Sequence, residues 1–147
     1  MPGVICPIRG GPSSQPTIKR SIALAKEKNL ELHFLYVVNL DFLTYTESSR
    51  VRVISEEMHE MGEFILLTAQ EAAKAEGVSA EADVRQGNVG EEIVKLAQDL
   101  GADFIVMGRP LDEQEDDVFS HDRLESFIAR LERECGAKVI LENEVEE

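Results

Sequence analysis

The segment Glu31–Val38 reads Glu-Leu-His-Phe-Leu-Tyr-Val-Val, and its apolar side chains fall on both sides of an extended chain. A strand that is apolar on both faces must be covered on both, as in a parallel sheet with helices above and below. Asp103-Phe104-Ile105-Val106-Met107-Gly108 has the same character. So has Val4-Ile5-Cys6-Pro7-Ile8, which ends at Gly10-Gly11-Pro12 and reads as a strand bounded by turn residues. Pro7 sits awkwardly in it, because proline donates nothing to a ladder. Val78–Arg85 differs: Val78, Ala80, Ala82 and Val84 alternate with Ser79, Glu81, Asp83 and Arg85. That pattern predicts a half-covered strand at a sheet edge. Ala137–Leu141 is the last short apolar run.

Between these runs the apolar period lengthens to that of a helix. Pro16–Asn29 places Ile18, Ile22 and Ala25 at helical spacing, with Pro16 suited to a first turn. Ser48–Glu76 is a long helical pattern with Val51, Ile54, Met58, Met61, Ile65 and Ala69 on one stripe, so Met58 and Met61 are expected in the core. Val89–Leu100 carries Ile93, Leu96, Ala97 and Leu100. After an irregular stretch from Arg109, Ser120 is the expected N-cap of a helix bearing Leu124, Phe127, Ile128, Leu131 and Cys135. Gly77, Gly101 and Gly136 close their helices, as C-terminal caps do. Strand and helix thus alternate through five strands and four helices. That order specifies an α/β fold, a doubly wound parallel sheet with right-handed crossovers. With 147 residues the chain suits one domain, residues 1–147. Trp is absent and aromatic residues are 5% of the chain, so aliphatic side chains must fill its core.

Charge narrows the partners. Twenty-nine Asp and Glu against 15 Lys and Arg give a net charge of -14. Such a surface repels phosphodiester backbones and anionic lipid heads, so neither nucleic acid nor membrane is an expected partner. The start of the chain lacks the charged n-region of a signal peptide, and no run reaches the ~20 apolar residues of a membrane span. The expectation is a soluble, cytoplasmic protein. Cys6 and Cys135 are too few for a disulfide framework or a zinc set and read as reduced, buried thiols.

An ordered set of segments resembles the universal stress protein family. It comprises Cys6-Pro7-Ile8 before a glycine-containing loop, Leu32–Val38, Val84-Arg85-Gln86-Gly87-Asn88 followed by Glu91-Glu92-Ile93, and Gly101–Gly108. The resemblance covers nearly the whole chain. It implies a five-stranded parallel sheet in strand order 3-2-1-4-5 with helices on both faces, like the adenine nucleotide alpha hydrolases. In such a sheet the ligand crevice lies between the carboxyl ends of strands one and four. The residues placed there are Pro7, Ile8, Arg9, Gly10, Gly11, Val38, Met107, Gly108 and Arg109.

Many members of the family bind ATP in that crevice. They use an Asp at the end of strand one and a pattern after strand four of Gly, two residues, Gly, nine residues, then Gly with Ser or Thr. Here Arg9 stands at the Asp position, Leu111 replaces the second glycine, and His121-Asp122 replace the closing pair. Asp112, Glu113, Glu115, Asp116 and Asp117 lie between. Each close carboxylate–phosphate contact costs on the order of 1 kcal/mol even when partly screened. No cofactor is therefore expected, ATP included.

Arg9, beside Gly10-Gly11 and a helix start, could pair with the acidic segment and close the crevice, hold an anion, or face solvent. The acidic segment has no glycine for a calcium loop and reads as a solvated charge run. His33, His59 and His121 have no metal-ligand spacing, and Ser13-Ser14 has no assigned base. The expected function is a non-catalytic stress-response or regulatory protein acting through protein contacts, with a small-anion or nucleotide-binding module as the alternative. The partner protein is not specified by the sequence. Related proteins commonly dimerise through the last strand, and an apolar edge strand at Ala137–Leu141 invites a homodimer.

Overall fold

A computed structural model describes residues 3–8, 15–38, 48–108 and 118–142. The elements run β1 (Gly3–Pro7), α1 (Gln15–Lys28), β2 (Glu31–Val38), α2 (Ser48–Ala75), β3 (Ala80–Gln86), α3 (Val89–Leu100), β4 (Phe104–Gly108), α4 (Val118–Cys135) and β5 (Lys138–Glu142). All strand pairs are parallel and the order is β3-β2-β1-β4-β5. The α/β fold, its five strands and four helices and its strand order are those expected. The sheet edges are β3 and β5.

Strand alternation divides the core. Val4 and Cys6 of β1, Leu32, Phe34, Tyr36 and Val38 of β2, and Val106 of β4 pack with α1 and α2 on one face. Ile5, Leu35 and Ile105 pack on the other, against Ile93, Leu96 and Ala97 of α3 and Leu131 of α4. The central strands are apolar on both sides for this reason. β3 has only one apolar face: Ala80, Ala82 and Val84 join the α2 side, as its alternation predicts. Gly77, Gly101 and Gly136 have φ of +81°, +66° and +76°, the left-handed backbone that ends each preceding helix.

Three expectations are corrected. The last helix begins at Val118, so Ser120 lies inside its first turn and is not its N-cap. A hydroxyl next to apolar periodicity resembles a cap, but the chain is already helical two residues earlier. β3 starts at Ala80, because Val78 is occupied in closing α2, its N–H donating to the Ala73 carbonyl at 2.9 Å. Met61 is not core: it is 54% exposed, whereas Met58 is half-buried against the core. Met61 stands at the margin of the predicted stripe, where a small rotation of the helix decides between sheet and solvent.

Candidate functional site

The crevice is built where β1 parts from β4. β1 pairs with β2 through Pro7–Leu35, and the Ile8 N–H then donates to the Leu35 carbonyl at 2.8 Å. In a parallel strand the N–H groups of alternate residues point to opposite neighbours. If Ile8 faces β2, Pro7 faces β4. The register of β1 with β4 runs only over Val4–Phe104 and Ile5–Ile105. Pro7 has no N–H to offer on that side, so the ladder has no donor with which to continue. The residue that looked awkward in a central strand thus sits where two neighbouring strands separate.

Of the residues expected in the crevice, Pro7, Ile8, Val38, Met107 and Gly108 lie at the carboxyl ends of β1, β2 and β4. Arg9, Gly10, Gly11 and Arg109 lie outside the described residues, as do positions 111–117. Ile8 and Val38 are buried in the α1–α2 core, so only their backbones border the rim. Pro7, Met107 and Gly108 keep partial exposure. Met107 packs on the α3–α4 side.

The rest of that rim is polar and self-satisfied. The Gly87 N–H donates to the Val38 carbonyl at 2.9 Å, holding the β3–α3 turn against the end of β2. Asn88 caps α3: its side-chain oxygen accepts from the Glu91 N–H at 3.0 Å. Glu91 and Glu92 occupy the first turn, where carboxylates complement the helix dipole. Arg85 lies 3.6 Å from Glu92 and 3.8 Å from Asp83, while Lys95 reaches the other Glu92 oxygen at 3.5 Å. From Asp83, in the middle of β3, the contacts run away from the rim to His33 in the amino-terminal part of β2, whose Nε2 is 3.3 Å away. On the α2 side, Gln86 Oε1 accepts from Ser55 at 3.2 Å and lies 3.4 Å from His59 Nε2. Motif reasoning singled out Gln86-Gly87-Asn88 only as part of a resemblance. The N-capping pattern of Asn88 before Glu91-Glu92 was the signal that could have assigned its role.

The two thiols are both shifted away from reactivity. Cys6 is fully buried, and that burial pushes its thiol up to about 12, opposed in part by a hydrogen bond with Ser21. Cys135 is raised as well, by partial burial and then by the Glu134 charge. Neither supplies a thiolate near neutral pH. Among the described residues, no three His, Cys, Asp or Glu side chains come together to hold a metal ion, and no helix is long and apolar enough to cross a membrane.

Comparison with known proteins places this geometry. The profile of the Universal stress protein family matches residues 3–111. The chain is 31% identical to universal stress protein MJ0531 of Methanocaldococcus jannaschii over 106 residues, 71% of this chain and 62% of that protein's length. It thus spans less than two thirds of that relative. It is 30% identical to universal stress protein YxiE of Bacillus subtilis over 109 residues, covering 69% of this chain and 74% of the relative. In three dimensions it resembles a universal stress protein solved in complex with cAMP, with a TM-score of 0.70, 21% identity and 98% of each chain covered.

Proposed function

We propose, from the premise that this chain belongs to the universal stress protein family, that it is a non-catalytic regulator working through protein contacts without ATP. The observation that carries this reading is the set of residues at the family's phosphate-binding positions. Arg9, Leu111 and His121-Asp122 replace Asp, Gly and the Gly-Ser/Thr pair, and five carboxylates lie within Asp112–Asp117. The described rim supports it. Asn88 already uses an N–H at the start of α3, Glu91 and Glu92 add negative charge there, and Arg85 is engaged by Glu92 and Asp83. An incoming triphosphate finds repulsion and committed donors along this part of the rim. These residues do not fit ATP, and no step is derived through it.

Titration calorimetry with Mg-ATP tests the reading, and the expected result is no binding in the micromolar range. A dissociation constant tighter than roughly 10 μM, about -7 kcal/mol, overturns it. A second reading has one observation in its favour: the structurally similar protein in complex with cAMP. A ligand with a single phosphate presents less charge to the rim, and Pro7 keeps β1 and β4 apart at the crevice. Titration with cAMP and AMP separates the readings: micromolar binding of either, with none of ATP, selects the nucleotide module.

The same proposal includes a homodimer through β5. Among the described residues that strand pairs only with β4, and Val139, Ile140 and Leu141 keep part of their surface exposed. A two-fold axis would pair it antiparallel with its copy. The acidic balance opposes association, so the dimer should weaken at low salt. Light scattering showing only monomer at micromolar concentration and physiological salt overturns this part.

A further inference from the structure

α2 has two apolar faces, and among the described residues only one is packed against the rest of the protein. On a 3.6-residue period, Gly62, Leu66, Ala69 and Ala73 form the inner face, and all four are buried. Val53, Met61, Phe64 and Leu67 form the opposite face. They are 52%, 54%, 69% and 53% exposed. Met61, Phe64 and Leu67 adjoin one another at i, i+3 and i+6, an apolar band unlike the scattered exposure of ordinary surfaces, while Glu57 and Glu60 lie between Val53 and this band. The band from Met61 to Leu67 is about 9 Å long at 1.5 Å per residue. At its Leu67 end it meets a groove of about 700 Å³ between α2 and the start of β3, lined by Leu67, Gln70, Glu71, Lys74, Val78 and Ala80.

Between Val53 and Glu71 the charge is one-sided, with Arg52 just before this stretch and Lys74 just after it. From Val53 to Glu71 the helix carries Glu56, Glu57, Glu60, Glu63 and Glu71 and no Lys or Arg. All five glutamates are exposed and fall on the outward half of the helix by the same period. Among the described residues none of them is in an ion pair.

We propose that the outward face of α2 is a docking surface for a basic amphipathic helix of another protein. The apolar band supplies the centre of such an interface, and the glutamates that flank and interrupt it have Lys and Arg as their complement. A partner helix with an apolar face of about two turns, interleaved with and flanked by basic residues, matches both. A second copy of this chain does not, because facing α2 helices would bring ten carboxylates together. An anionic membrane is excluded by the same sign of charge. The inference rests on the reading of the protein as a contact module. It concerns a surface away from the crevice, so nucleotide calorimetry and the assay below can fail independently.

The test uses the full chain and a fluorescent 18-residue Leu/Lys amphipathic peptide in anisotropy titrations at physiological salt. Two controls are a Leu/Glu peptide with the same apolar face and a Lys/Ser peptide with the same charge but no apolar face. The Leu/Lys peptide should bind at least tenfold more tightly than either control. The double variant Phe64→Ser/Leu67→Ser should lose at least tenfold in affinity, and Glu57→Gln/Glu60→Gln should lose severalfold, with unchanged circular dichroism in both. Equal binding of the Lys/Ser peptide would assign the effect to net charge alone and overturn the proposal. So would an undiminished affinity of the serine variant. A parent dimer that the serine variant converts to monomer would assign the face to a second copy instead.

Discussion

The inner and outer faces of α2 are both apolar, yet they stand in opposite relations to the rest of the molecule. On the inner face the helix comes so close to β2 that a Cβ on Gly62 would clash with the Tyr36 ring. Leu66, Ala69 and Ala73 complete that contact as small or well-buried groups. The outer face carries larger apolar side chains and buries none of them fully. Hydrophobicity alone does not tell a core face from a docking face. Residue size and neighbouring charge do: glycine and alanine where backbones approach, Phe and Met among glutamates where none of the described residues covers them.

The contrast can be broken most strongly at Leu66. Leu66→Ala removes a side chain only 3% exposed and should cost about 2–5 kcal/mol, read by urea denaturation. A loss below 1 kcal/mol would mean the inner face is not the core.

A second test uses the core that this face closes, to which Cys6 belongs. The folded protein holds the Cys6 thiol neutral up to about 12, against an ordinary value of 9.0. The unfolded chain therefore loses this proton first as pH rises. The stabilisation is complete below pH 9 and is lost between pH 9 and 12, by at most about 1.4 kcal/mol per pH unit. Cys6→Ala should lack this alkaline slope. Parallel stability–pH curves for parent and variant above pH 9 would show that the thiol is not held neutral.

Gly62→Ala sharpens the comparison at one atom. The added methyl meets a packed aromatic ring and costs about 1–3 kcal/mol in strain. The better helix propensity of alanine returns about 1 kcal/mol, leaving a net loss of about 0–2 kcal/mol. A raised melting temperature would show that α2 stands further from β2 than the structure places it. The smallest effect belongs to the outer face. Phe64→Ser should leave stability within about 0.5 kcal/mol of the parent, while removing the centre of the docking surface. A larger loss in the isolated monomer would make Phe64 part of the fold after all.

Much of the architecture was legible because it depends on local pattern. The runs in β2 and β4 are apolar on successive residues, and only a strand covered on both faces needs that. β3 alternates, and it lies at the edge with Glu81, Asp83 and Arg85 on its polar side. The candidate site was less legible. Position in the strand order brought Pro7, Met107 and Gly108 to one rim, but Ile8 and Val38 turned out to contribute side chains to the core. Asn88 entered only as part of a resembling segment, whereas its carboxamide caps α3. Side-chain direction at a strand end depends on which neighbour the backbone faces, and the one-dimensional pattern does not contain that.

By itself the sequence determined the alternation of five strands and four helices, the glycine ends of three helices and the polar face of β3. These follow from periodicity, backbone freedom and charge, which act over a few residues at a time. Only the tertiary structure decided the meaning of Pro7, Gly62 and Met61. Pro7 interrupts nothing on the β2 side and ends the ladder on the β4 side. Gly62 is the point of closest approach between α2 and Tyr36 rather than a weak link in a helix. Met61 faces outward with Phe64 because packing on β2 and β3 fixed the rotation of α2. A helix with apolar residues on both sides leaves that rotation open until a sheet is there to choose the closer-packing face.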